Sequence, residues 1–204
     1  MRSADFFDAL RDALAAPRPP SPGEDPATLR RAAVLAPFYE EGDAPGLILV
    51  ERSGALGNHP GQIAFPGGAR DPGEDDLACA LRESREEIGL DPAEVEVLGR
   101  LAPRPTVTGF LVSPVVGRLR RWPVPFVPAP AEVASILTVP VARLVEPGVL
   151  RVATFEGGRT VDFFDLGDHV VWGATARMIR ELLERVLGRA LEPGGEVPLD
   201  RVRW

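Results

Sequence analysis

Four glutamates, Glu74, Glu83, Glu86 and Glu87, fall within one short stretch of chain, and the last three stand at i, i+3 and i+4. On a helix that spacing turns at least part of each carboxylate towards one side. Like charges so placed cost about 0.2–0.5 kcal/mol per pair on an exposed helix, and more where burial withdraws solvent. Something must offset this. Arg82 stands four residues before Glu86 and Arg85 lies beside it. Two arginines do not obviously satisfy four carboxylates once Glu74 folds back from the preceding loop. Hard divalent cations such as Mg²⁺ take carboxylate oxygens together with water and phosphate oxygens, so the cluster points to metal.

The loop before these residues reads Gly67-Gly68-Ala69-Arg70-Asp71-Pro72-Gly73-Glu74. Its glycines and proline disfavour regular structure, and Asp75 or Asp76 can cap the helix that follows. On that helix Leu77, Leu81, Ser84 and Ile88 recur at i, i+4, i+7 and i+11, a stripe for the core in which Ser84 is the one polar member.

From Gly68 to Glu74 there are five intervening residues, from Glu74 to Arg82 seven, and then comes Arg82-Glu83-Ser84-Arg85-Glu86-Glu87-Ile88-Gly89-Leu90. This resembles the Nudix box, Gly-x5-Glu-x7-Arg-Glu-U-x-Glu-Glu-x-Gly-U with U apolar. Every fixed position matches; Ser84 at the first U is the one departure and leaves the acidic positions untouched. The resemblance implies an α/β fold, an α/β/α sandwich around a mixed β-sheet. It implies Glu83, Glu86 and Glu87 as ligands of Mg²⁺ or Mn²⁺, with the carbonyl of Gly67 as a further ligand. Glu74 and Arg82 would orient those ligands. Members of the family hydrolyse a diphosphate linked to another moiety.

Upstream, Leu49-Val50-Glu51-Arg52-Ser53 leads through Gly61 to Phe65-Pro66-Gly67-Gly68. The pattern resembles the additional signature of the coenzyme A diphosphatase branch, Leu-Leu-Thr-x-Arg-Ser/Ala-x3-Arg-x3-Gly-x3-Phe-Pro-Gly-Gly. Arg52, Ser53, Gly61 and Phe65 to Gly68 fall in place, whereas Val50 replaces Thr and Gly57 replaces the second Arg. In that branch the products are 3′,5′-ADP and 4′-phosphopantetheine, and Arg52, Ser53, Gly67, Gly68 and Arg70 would face substrate. Arginine forks match phosphate oxygens, so the change at Gly57 bears on affinity. The box reports the diphosphate and not its substituents, which leaves ADP-ribose, NADH and dinucleoside polyphosphates as alternative substrates. A nucleotide-binding regulator without turnover is a third reading, and the intact acidic positions argue against it. Glu132, in Pro130-Ala131-Glu132-Val133, is the candidate general base by its place in the chain. His59 stands near the substrate-side loop, and Trp172 reads as a core residue.

These residues need a scaffold. Two strong helical patterns run over 75–88 and 174–187, the second followed by Gly188 as a stop. Short apolar runs at 32–38, 46–50, 95–101, 112–119, 136–139, 149–155, 161–166 and 169–172 read as strands of a mixed sheet. Strands mixed with few helices predict a layered α/β domain. Before it, Phe6, Phe7, Leu10 and Leu14 predict an amphipathic helix over 4–15, for packing or oligomerisation. The Pro-rich stretch 17–26 predicts a linker, and 123–130 a loop. The organisation expected is thus an amino-terminal helix and linker over 1–26, a catalytic domain over 27–191, and an irregular tail over 192–204.

The 204 residues, 45% hydrophobic, suffice for a sizeable core. The 23 basic residues are all arginine and the net charge is −7. An acidic chain lacks the electrostatic footprint of a general nucleic-acid binder, so the expected partner is a small molecule whose anionic groups meet local arginines or bridging metal. Oligomeric state is left open. The one cysteine, Cys79, sits between alanines and reads as helix packing; it excludes an intramolecular disulfide and fits a reducing compartment. Residues 1–15 carry three aspartates and no unbroken apolar run, which reads as neither a secretory signal nor a membrane span, hence as a cytoplasmic protein.

Overall fold

The computed structural model describes residues 2–15, 28–54, 61–155, 158 and 160–198. The first half holds α1 (Ser3–Ala15), β1 (Arg30–Glu41), β2 (Ala44–Arg52), β3 (Ile63–Ala64), β4 (Gly67–Ala69), α2 (Asp76–Ile88), β5 (Val95–Arg100) and β6 (Arg104–Pro105). After these come β7 (Phe110–Leu119), β8 (Val133–Pro140), the short α3 (Val141–Leu144), β9 (Leu150–Thr154), β10 (Thr160–Asp165), β11 (Val170–Trp172), α4 (Gly173–Leu187) and β12 (Glu196–Pro198).

The main sheet runs β3-β2-β1-β7-β5, with β4 paired to β1, β6 to β7 and β8 to β2. β1 and β7 are parallel over Arg30↔Phe110 to Phe38↔Arg118, whereas β1 and β2 form an antiparallel hairpin, so the sheet is mixed as expected. Its central strands are apolar on both faces. In β2, Leu47 and Leu49 enter one hydrophobic cluster while Ile48 and Val50 enter another. Alternating side chains point to opposite faces of a strand, so this pattern requires a cover on each side.

One cover is α2, whose Cys79, Ala80 and Ile88 pack with Ala33, Leu35, Ile48 and Val115. The other combines α1 and α4: Phe6, Phe7, Leu10, Ile179, Leu182 and Leu183 pack on Phe38, Leu47, Leu49 and Val116. The amino-terminal helix therefore belongs to the core. Phe6 and Phe7 are fully buried, and Phe6 lies 5.4 Å from Phe7 and 5.3 Å from Phe38 between ring centroids. Arg185 of α4 donates to the Ala13 carbonyl at 3.2 Å, meeting one of the unpaired carbonyls at the end of α1.

A second sheet, β11-β10-β9-β12, packs Ala153 and Phe163 with Trp172, Val170 and Val197. The tail is not wholly irregular: β12 runs parallel to β9, pairing Glu196 with Val152 and Val197 with Ala153. Three residues after a loop carry too little periodicity to announce a strand; the pairing comes from an open edge of β9. α4 ends at Gly188 in a left-handed conformation, as its glycine stop predicts. The linker over 17–26 lies outside the described residues, as do Gly57 and His59. Among the described residues no helix is long and apolar enough to cross a membrane.

Candidate functional site

The glutamate-bearing element is assembled from β4, a six-residue loop and α2. Gly67 and Gly68 are demanded for different reasons. A Cβ at Gly67, where φ is +153°, would lie 2.4 Å from the Ala33 carbonyl oxygen and 2.5 Å from Val34 Cα, because β4 is pressed onto β1. A Cβ at Gly68 would lie 2.5 Å from the carboxyl carbon of Glu83. The backbone thus leaves room there for a carboxylate.

Asp75 is the cap: its side chain accepts the Ala78 amide at 2.8 Å, satisfying one of the free amides of the first turn. At the far end Gly89, with φ of +70°, directs its amide to the Arg85 carbonyl. Ser84, the polar member of the apolar stripe, is fully buried, and its hydroxyl donates to the Ala80 carbonyl at 2.7 Å. Bonding back to its own helix removes the cost of a polar group in the core.

Arg82 is the electrostatic centre of the loop. Nε and Nη2 meet the two oxygens of Glu74 at 2.9 and 3.0 Å, and Nη2 also donates to the Ala69 carbonyl at 3.2 Å. Nη1 reaches Glu83 and Glu86, both at 2.9 Å. One guanidinium therefore serves three of the four carboxylates. The hydrogen bond from Arg82 pushes the Glu74 carboxyl down to about 2, and the same pairing raises Arg82 further above its usual range. Charge-assisted forks of this kind are among the strongest polar contacts.

Glu87 is placed differently. It is 4% exposed and accepts the Gly67 amide at 2.9 Å. Burial pushes its carboxyl up to about 7; the Gly67 amide opposes that, Glu83 and Glu132 add to it, and Arg52 opposes it. Glu83 is also raised, first by burial and against the pull of Arg82. Glu86 is the solvent-facing member, with a side chain 56% exposed.

The structure brings Glu83 and Glu87 against β4, beside Gly68 and Gly67 respectively. As the side chains stand, no group of three or more acidic, histidine or cysteine residues among the described residues forms a metal-holding cluster. Two of the three expected carboxylates are engaged by Arg82. The donors themselves suit a hard cation: carboxylates only, one of them buried, packed on glycines that leave space beside them.

Glu132 is exposed, on the loop between β7 and β8, yet it acts on both Glu83 and Glu87 through its charge. The backbone explains this proximity. Val127 and Ala129 donate to the carbonyls of Ile88 and Glu87 at 3.0 and 2.8 Å, fastening the loop to the end of α2. The Glu132 carbonyl in turn accepts the Ser53 amide at 2.8 Å. β2 shifts register against β8 between Glu51 and Arg52, and Arg52 exchanges backbone bonds with Gly61 and Gln62. Arg52, Ser53 and Glu132 thus meet beside the glutamate helix.

Arg70 faces its own loop: Nη1 holds Asp76 at 2.9 Å, and Nη2 holds the Glu74 carbonyl. Its fork shapes the loop between β4 and α2. Two participants escape a reading of the sequence. Asp76 is half of that clasp, and Cys79 donates from Sγ to the Gly68 carbonyl at 3.5 Å. Burial pushes the Cys79 thiol up to about 11, so it stays a neutral donor. Its position three residues before Arg82, on the side of α2 that faces β4, is the only signal the sequence carries for it.

Comparisons with known proteins agree with this geometry. Residues 29–152 match the model of the NUDIX domain. A protein of Photorhabdus laumondii, described as an uncharacterized Nudix hydrolase, NudL, is 38% identical over 172 residues, covering 82% of this chain and 91% of the relative. Among solved structures, a MutT/nudix family protein from Enterococcus faecalis superposes with a TM-score of 0.54 at 15% identity, covering 94% of this chain and 71% of the other. The NUDIX domain of Shewanella oneidensis NrtR, solved with ADP ribose, gives 0.52 at 16% identity, covering 80% and 94%. These two likenesses speak for the α/β sandwich, and the sequence match over more than half the chain carries the rest: with its glutamate helix set on a Gly-Gly strand, this chain belongs to the Nudix hydrolase family.

Proposed function

We propose that the protein hydrolyses the diphosphate bond of coenzyme A and its derivatives, giving 3′,5′-ADP and 4′-phosphopantetheine, with Mg²⁺ or Mn²⁺. The observation that carries this reading is the approach segment. Arg52 and Ser53, at the end of β2, and Phe65-Pro66-Gly67-Gly68, entering β4, match the coenzyme A signature and lie beside the box glutamates.

In this reading Glu83, Glu86, Glu87 and the Gly67 carbonyl hold the cation, and Glu74 keeps Arg82 in place beside them. The bound cation would neutralise phosphate oxygens and lower the pKa of the attacking water. Hydrolysis adds one water across the P–O–P bridge: a P–O bond forms to the water oxygen, and the bridging oxygen leaves with its electron pair. Glu132 takes the water proton, being exposed, close to Glu83 and Glu87, and held by a loop tied to α2 at two points. Arg52 offers its guanidinium to the phosphates, with Ser53, Gly67 and Gly68 lining the approach beside it. Arg70 contributes through the shape of the loop. The net charge of −7 speaks against a general nucleic-acid partner and favours a small anionic molecule met by local arginines and metal.

A panel of coenzyme A, ADP-ribose, NADH and dinucleoside polyphosphates with Mg²⁺ or Mn²⁺ tests the assignment. Coenzyme A is expected to give the highest kcat/KM. Rapid cleavage of ADP-ribose with coenzyme A left intact would refute the coenzyme A reading and leave the diphosphatase reading standing.

A further inference from the structure

Arg82 is held at both ends of its guanidinium plane. Glu74 and the Ala69 carbonyl fix Nε and Nη2, and because the group is planar and rigid, this sets where Nη1 must project. It projects between Glu83 and Glu86, 2.9 Å from an oxygen of each. The positive charge cannot be discharged, since a guanidinium does not lose its proton in a protein. It can only move.

Resting on the metal-dependent reading above, we infer that Arg82 is a resident counter-ion that competes with the divalent cation for Glu83 and Glu86. Without metal, Nη1 holds the two carboxylates together and offsets their repulsion at i and i+3. When metal is held, Nη1 gives up both bonds while Nε and Nη2 remain on Glu74. Arg82 is then a positioning residue with a cost attached. It keeps the ligands converged, and it lowers the affinity that three glutamates on a helix would otherwise show. Two of the candidate ligands are turned to the arginine, Glu83 and Glu86 each at 2.9 Å.

Two measurements test this without turnover. The first counts free Mn²⁺ by electron paramagnetic resonance in the presence of wild type and Arg82→Gln. The variant is expected to bind Mn²⁺ about threefold to tenfold more tightly; equal or weaker binding in a folded variant overturns the inference. The second uses the wild-type protein labelled with ¹⁵N-arginine, with Arg82→Lys to assign the Arg82 signals. Saturating Mg²⁺ is expected to shift the Arg82 Nη1 resonances and leave its Nε resonance in place. Mg²⁺ bound with Nη1 unmoved overturns this inference alone. No binding of either ion by the wild type overturns the metal-dependent reading and this inference with it.

Discussion

The amide of Gly67 donates to the carboxylate of Glu87 at 2.9 Å, joining the strand that carries the glycine pair to the helix that carries the glutamates. The bond is nearly sealed from solvent, and burial outweighs it, so that Glu87 titrates at about 7.

That value makes the metal-free protein sensitive to pH in an unusual direction. The folded carboxyl titrates near 7 and the unfolded one near 4.5, so the native state binds the extra proton between them. The contribution of Glu87 is therefore fully present below pH 4.5 and lost as pH rises through 7. Its full size is at most about 3 kcal/mol. Thermal melts in chelator are expected to show a falling Tm from pH 5 to 8, with a shallower fall in Glu87→Gln. Parallel curves for the two proteins would rule the effect out.

Glu74 works with the opposite sign. Its folded carboxyl lies at about 2, below the unfolded value, so its stabilisation is present above pH 4.5 and lost as pH falls towards 2. Its side chain is 11% exposed and holds two nitrogens of Arg82. Glu74→Gln is expected to cost about 2 kcal/mol at pH 7, and less at pH 3. Urea titrations at the two pH values measure the difference.

The adjacent glycines should fail in different ways. At Gly68 the new methyl meets the flexible end of Glu83, so Gly68→Ala keeps its fold and loses most of its kcat as that carboxylate is displaced. At Gly67 it meets the backbone of β1, so Gly67→Ala loses about 2 kcal/mol or more of stability. Comparing Tm with kcat for the pair separates the two effects; a Gly68→Ala protein with wild-type kcat contradicts the role given to Glu83.

Glu132→Gln is expected to lower kcat by about 10²-fold to 10⁴-fold, the range of general acid–base catalysis. Mn²⁺ affinity should stay near that of the wild type. A kcat within twofold of wild type would dismiss Glu132 as the base.

Much of the site could be read from the chain because it is local. The spacing from Gly68 to Leu90, the cap at Asp75 and the stop at Gly89 all act within one loop and helix, where geometry follows directly from sequence separation. Division of labour among the glutamates could not be read this way. The Arg82–Glu86 pair follows from its i, i+4 spacing, but that Glu83 would also turn to Arg82 and Glu87 be buried on Gly67 depends on how closely β4 packs on α2. Glu132 was guessable only by position, since its approach to the helix is built from backbone bonds between distant segments. The same limit applies to α1: an apolar stripe announces burial, but not that Phe6 and Phe7 would fill the space over Phe38.

That last arrangement bears on how the protein can be cut. The stretch matching the family, residues 29–152, includes the glutamate helix but neither α1 nor α4. A fragment trimmed to those limits would keep every candidate metal ligand while laying bare Phe38, Leu47, Leu49 and Val116, which both helices cover in the intact chain. The boundaries of recognition and the boundaries of a self-sufficient core are therefore different lines in this molecule, and only the wider one covers that apolar face.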